Sequence, residues 1–211
     1  MGQQFIPAKN KSDMSYLVND IFYSLQGEGR QMGRAAVFVR FSGCNLKCSF
    51  CDTDFTRSTP MEAAEIVDKA LRLVPDEAWH SDVKPMVVLT GGEPTLQADN
   101  ALVDQLHAAG FDFVAMESNG TRPAPDHLDW LTVSPKSQVT VRECQELKCI
   151  FDGETDVERW KTIQADYYYL QPCDVGDSER NRAICQACVD YIKLHPEWRL
   201  SVQVHKWLGF K

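Results

Sequence analysis

Cys44, Cys48 and Cys51 stand in the stretch Cys44-Asn45-Leu46-Lys47-Cys48-Ser49-Phe50-Cys51, separated by three and then two residues. Thiolates this close can converge on one metal centre from a single loop. Structural zinc takes four protein ligands, whereas an iron-sulfur cubane held by three cysteines leaves one iron free for an exogenous ligand. The triplet therefore points to a centre with an open position, and a zinc knuckle with a distant fourth ligand is the competing reading. A second motif, Thr90-Gly91-Gly92-Glu93-Pro94, also follows an apolar run. Its glycines let backbone approach a ligand, and Glu93 offers a carboxylate that accepts hydrogen bonds from an amino or cationic group.

These motifs need elements to position them. Apolar runs at 35–41, 86–90, 111–117, 130–134, 146–151, 167–171 and 200–204 read as strands. Thr59, Pro60 and Glu62 read as the N-cap, N1 and N3 of a helix, whose inner face is Ala63, Ile66, Val67, Ala70, Leu71 and Val74. A second helix is expected over 97–109, stopped by Gly110, a third from the box Thr155 to Glu158, and a fourth from Ser178 to about Leu194. Strands alternating with helices imply βαβ crossovers and a mainly parallel sheet, open or curled. A complete eight-unit barrel typically takes about 250 residues, so a chain of 211 predicts a shortened partial barrel of α/β class. Both motifs then fall at the carboxyl ends of strands, where such sheets carry their reactive loops.

With 44% hydrophobic and 25% charged residues, the chain reads as an N-terminal extension over 1–15 followed by a single soluble domain over 16–211. A net charge of −8 argues against a nucleic-acid-tracking surface and for a small-molecule substrate. No run reaches membrane-spanning length and the first residues lack a hydrophobic leader, so a cytoplasmic protein is expected. Eight cysteines in that setting mean reduced thiols and metal ligation rather than disulfides. Cys185 and Cys188 form a CxxC inside the fourth helix and read as core packing; an auxiliary cluster joining them to Cys144 and Cys149 is the alternative.

The cysteine triplet with an aromatic before its last member, followed by the Gly-Gly-Glu-Pro turn, resembles the radical S-adenosylmethionine (SAM) enzymes. A narrower resemblance runs from about Tyr16 to the C-terminus. Phe22-Tyr23-Ser24-Leu25-Gln26-Gly27-Glu28-Gly29, Cys51-Asp52-Thr53, Glu117-Ser118-Asn119-Gly120, Ser134-Pro135-Lys136, Gln171-Pro172-Cys173-Asp174 and Gln203-Val204-His205-Lys206 are similar to the 7-carboxy-7-deazaguanine synthase family.

That resemblance implies a 4Fe-4S cluster on Cys44, Cys48 and Cys51, with SAM chelating the open iron. Reductive cleavage of SAM would yield a 5′-deoxyadenosyl radical that abstracts a substrate hydrogen, SAM being regenerated each turnover. The SAM contacts it implies are Phe50, Cys51, Asp52, Gly91, Gly92, Glu93, Ser134, Pro135, Lys136, Gln171, Pro172, Cys173 and Asp174, with magnesium on Thr53. The substrate, 6-carboxy-5,6,7,8-tetrahydropterin, would lie against Leu25, Gln26, Gly27, Glu28, Arg40, Thr90, Glu117, His205 and the terminal Lys211, and would contract to 7-carboxy-7-deazaguanine with loss of ammonia. Arg40 suits a carboxylate because a guanidinium offers a bidentate fork. The resemblance further implies a homodimer and a low-potential electron donor such as flavodoxin. Two other readings stay open: an activase that generates a glycyl radical on a partner protein, and a non-catalytic metal-binding module.

Overall fold

The computed structural model describes residues 15–51, 53–54 and 57–211. The expected extension over 1–15 lies outside them except for Ser15, which begins the first strand. Among the described residues nine strands form one sheet: β1 (Ser15–Leu25), β2 (Ala35–Phe41), β3 (Thr59–Glu62), β4 (Met86–Gly91), β5 (Val114–Ser118), β6 (Trp130–Val133), β7 (Glu143–Phe151), β8 (Gln164–Pro172) and β9 (Trp198–Leu200). Their order is β3-β1-β2-β4-β5-β6-β7-β8-β9, antiparallel at β3-β1-β2 and parallel from β2 onward. Helices α1 (Ala63–Leu73), α2 (Asp76–Trp79), α3 (Asn100–Ala108), α4 (Ser178–Leu194) and α5 (Val204–Leu208) complete the chain. None is long and apolar enough to cross a membrane among the described residues.

Period-two alternation assigns each strand two faces. Val37, Val39 and Phe41 of β2, Val87 and Leu89 of β4, and Val114 and Met116 of β5 join Ile66 and Ala70 of α1 and Leu102, Val103 and Leu106 of α3 in one apolar layer. Leu147, Cys149 and Phe151 of β7 pack with Leu170, Ile184, Cys188 and Trp198 in a second. The opposite face is apolar only at its lower end, where Ala36, Met86, Val88 and Ala115 meet. Above them the same face carries Arg40, Thr90, Glu117, Lys148 and Gln171, all lining one cavity. On β2, β4 and β5 each polar residue sits two or four positions further along its strand than an apolar partner, so this part of the sheet is dry at its amino ends and polar at its carboxyl ends.

The sheet is open but curled, because its two ends meet through segments outside the strands. The Gly29 amide donates to Ser201 Oγ (3.1 Å), and the Val204 amide donates to Gly27 O (3.1 Å). Lys211 pairs with Asp20 of β1. These contacts tie the segment after β9 to the β1–β2 connection and produce the partial barrel.

Several sequence expectations shift. β1, the longest strand, escapes the pattern because a bulge between Val18 and Asp20 changes which residues point inward. Thr59 and Pro60 belong to the edge strand β3, a position that tolerates proline, rather than to a helix start. The capping box sits three residues later, with the Glu62 amide donating to Glu65 Oε2 (2.8 Å). The helix expected from 97 is a 3-10 turn, Pro94–Leu96, followed by α3 capped by Asp99, whose carboxylate accepts from the Leu102 amide (3.0 Å). The Thr155 box yields only a 3-10 turn, Glu158–Thr162, because the Thr155 amide and hydroxyl both donate to Asp152. Residues 200–204 are a strand only to Leu200 and turn into α5 at Val204.

Candidate active site

The cavity at the carboxyl ends of the strands measures about 1070 Å³. One wall is the cysteine loop after β2, where Cys44 and Cys48 are half-buried, Cys51 is exposed and all three thiols are free. Burial, with the Glu93 carboxylate and the other two cysteines, pushes the Cys44 thiol above its ordinary range.

The two glycines of the Gly-Gly-Glu-Pro turn serve first as packing. A Cβ on Gly91 would lie 2.2 Å from Phe41 O and one on Gly92 2.0 Å from Gly43 O. Their close approach lets the Gly92 amide donate to Phe41 O (3.1 Å) and the Glu93 amide to Gly43 O (2.9 Å), so the turn is bonded to the root of the cysteine loop. Glu93 corrects the sequence reading. Its fully buried carboxylate does not line the cavity; Oε1 accepts from the Thr95 amide, Thr95 Oγ1 and Ser118 Oγ, and Oε2 accepts from the Asn119 amide. With both oxygens engaged inward, the face this turn offers to a ligand is the backbone of Gly91 and Gly92. The chain of contacts continues, because Asn119 Nδ2 donates to Asn45 Oδ1 (3.0 Å) inside the cysteine loop. Glu93 thus couples two motifs that the sequence presents separately.

Arg40 and Thr90 lie side by side in the β2–β4 register. The Arg40 guanidinium donates to Thr53 Oγ1 (3.1 Å), and no carboxylate pairs with it among the described residues. Opposite stands a buried network. Lys148 Nζ donates to Glu28 Oε2 (2.5 Å) and Glu117 Oε2 (2.7 Å), while Gln203 and Gln26 donate to the remaining oxygens of the two carboxylates (2.9 Å each). Burial works to raise the Glu28 pKa, but Lys148 and the Gln203 hydrogen bond carry it down to about 2. Burial works to lower that of Lys148, and Glu117 and Glu28 instead hold the ammonium well above the usual lysine range.

Of the remaining residues singled out from sequence, Leu25, Gly27, Phe50, Ser134, Lys136, Gln171, Pro172, Cys173, Asp174, His205 and Lys211 all line this cavity. Lys136 Nζ donates to Ser134 O (2.9 Å) and Ser134 Oγ (3.0 Å), and burial lowers its pKa. Asp174 Oδ1 accepts from the Gly176 amide and Asn181 Nδ2, and its Oδ2 pairs with Lys206 (3.4 Å). Pro135 is buried beside the cavity without lining it, and Asp52 lies outside the described residues. Cys188 is buried in the second apolar layer while Cys185 is exposed, so the CxxC pair divides between core and solvent. Lys148 was missed. Its signal lies in the alternation Glu146-Leu147-Lys148-Cys149, which places two charges on one face of a strand otherwise built for burial.

The radical SAM superfamily model matches residues 38–141. Over 92% of this chain and 98% of the relative, the sequence is 44% identical to a 7-carboxy-7-deazaguanine synthase from Bacteroides thetaiotaomicron. It is 43% identical to one from Caulobacter vibrioides over 93% of the chain and 99% of that relative. The chain belongs to the 7-carboxy-7-deazaguanine synthase family. The crystal structure of QueE from Escherichia coli, at 24% identity, shares the fold with a TM-score of 0.65 over 91% of this chain and 95% of that one. The cofactors of this radical SAM synthase family are a 4Fe-4S cluster and SAM, and the residues present suit them. Three free thiols face a cavity of a size that takes a cofactor and a substrate together.

Proposed function

We propose that residues 16–211 form one catalytic domain that converts 6-carboxy-5,6,7,8-tetrahydropterin to 7-carboxy-7-deazaguanine with loss of ammonia. One observation carries this reading: a single cavity holds the three thiols, a guanidinium with no carboxylate partner among the described residues, and the Glu28–Lys148–Glu117 network. When bound at Cys44, Cys48 and Cys51, the cluster together with SAM supplies one-electron chemistry for hydrogen abstraction. The chain's own residues do the positioning. Arg40 binds the substrate carboxylate through its fork, and Glu28 and Glu117 accept from the N–H donors of the amino-pyrimidinone edge. Gly91, Gly92, Phe50, the Ser134-Pro135-Lys136 turn and the Gln171-Pro172-Cys173-Asp174 turn border SAM. His205 and Lys211 close the mouth beside β1, and Thr53 offers magnesium one hydroxyl oxygen.

The partners that complete this reading are a low-potential electron donor such as flavodoxin and a second copy of the chain, in the cytoplasm. Anaerobic incubation of the cluster-loaded protein with substrate, SAM, magnesium and reductant tests it. The expected result is the deazaguanine acid by mass spectrometry with SAM unconsumed. Absence of that product, with the cluster intact, would overturn the substrate assignment.

A further inference from the structure

Lys148 sits on the cavity face of β7, and its side chain is 3% exposed, against 16% for Glu28 and 22% for Glu117. The ammonium is behind and the carboxylates are in front. Each carboxylate oxygen already takes one donor, from Lys148, Gln26 or Gln203, and each oxygen has a second lone pair. Beneath them Glu146 is held apart from the cavity, its Oε2 accepting the Arg30 amide (2.9 Å) and Gly29 packed over it. Three acidic side chains therefore share one buried lysine. An uncompensated buried carboxylate is costly, so such an arrangement is complete only when further donors arrive from the cavity.

We propose that Lys148 is a positioning residue: by donating to Glu28 and Glu117 together, it sets the two carboxylates as a paired acceptor that selects a 2-amino-4-oxo heterocycle over its 2,4-dioxo counterpart. This rests on the pterin reading above. A 2-amino edge presents N–H donors to both carboxylates, whereas a 2-oxo group points lone pairs at one of them and leaves a buried acceptor unpaired.

Other charged groups face the pair from neighbouring elements: Glu146 on β7, Lys136 after β6 and His205 on α5. With Lys148 in place, Glu28 stays ionised far below neutral pH. Without it, burial at Glu28 is no longer opposed by that cation, and this cavity-facing carboxylate takes up a proton toward neutrality in addition to Glu146, which is held apart from the cavity.

The test measures binding rather than turnover. Pterin-6-carboxylate and its 2-oxo counterpart, lumazine-6-carboxylate, are titrated into the cluster- and SAM-loaded protein without reductant, followed by ligand fluorescence. The wild type is expected to prefer the pterin by at least about tenfold, with little change between pH 5.5 and 8. Lys148→Met is expected to bring the preference below about threefold and to make pterin binding weaken as pH falls through neutrality; Lys148→Arg restores the preference by keeping a cation. If Lys148→Met does not fold, Glu28→Gln carries the same test, since it turns one acceptor into a donor.

A folded Lys148→Met or Glu28→Gln that keeps the preference overturns the proposal, as does equal weakening of both ligands with a flat pH profile, which marks a structural role. A wild type that binds both acids equally overturns the proposal and leaves the pterin reading standing. A wild type that binds neither overturns both.

Discussion

At the scale of single residues, charge placement on the cavity face decides what the site accepts. Arg40 is bonded to a neutral hydroxyl and has no carboxylate partner among the described residues, so its fork remains available to an anion. Arg40→Lys keeps the charge and loses the fork; KM for the pterin acid is expected to rise about tenfold, about 1.4 kcal/mol, with kcat changed less. Steady-state kinetics read this directly, and an unchanged KM removes Arg40 from the carboxylate subsite. Glu146 shows the opposite burden. Burial raises its pKa to about 7 against the opposing pull of Lys148 and the Arg30 amide. Because the folded form holds its proton above the unfolded range, stability falls as pH rises from about 4.5 to about 7 and then levels off, a penalty on the order of 3 kcal/mol or less. Glu146→Gln removes that slope and is expected to be more stable than wild type at pH 8, by urea denaturation at pH 5, 6.5 and 8.

At the scale of elements, the cysteine loop owes its shape to neighbours rather than to itself. Gly92 touches Gly43 backbone, Glu93 bonds the Glu117-Ser118-Asn119-Gly120 turn, and Asn119 and Thr121 bond Asn45. Gly92→Ala places a methyl group 2.0 Å from Gly43 O, which the loop can relieve only by moving away. Cluster content after anaerobic reconstitution is therefore expected to fall severalfold while far-UV circular dichroism is unchanged, because the clash is confined to the loop. Full iron and sulfide incorporation would show that this docking is dispensable. The motif was visible in the sequence for its glycines, yet the inward turn of Glu93 was not, since Ser118 and Asn119 become its partners only when β4 and β5 lie in register.

At the scale of the whole molecule, an open sheet acquires a closed cavity because its ends are bridged. Ser201 is the buried link: its hydroxyl donates to Gln171 Oε1 (2.8 Å) and accepts the Gly29 amide (3.1 Å). Ser201→Ala leaves both groups unpaired and is expected to cost about 1–3 kcal/mol. The same change loosens the Leu25–Gly29 turn that borders the substrate region, so KM should rise together with the loss of stability. A loss of stability with unaltered KM would assign the bridge to folding alone.

Local chemistry made much of this protein legible from the sequence. The cysteine triplet, the strands over β2 and β4 to β8, and the fourth helix all follow from spacing and periodicity, which act over a few residues. Long-range pairing decided the rest. β1 is a strand because β2 and β3 flank it across a bulge, and Pro60 is tolerated because β3 is an edge. Lys148 is a strand lysine in the sequence and becomes the centre of the site only because Glu28 and Glu117, 120 and 31 residues away, arrive beside it. Period-two alternation chooses the face a side chain points to, but its partners are set by which strands the fold places next to one another.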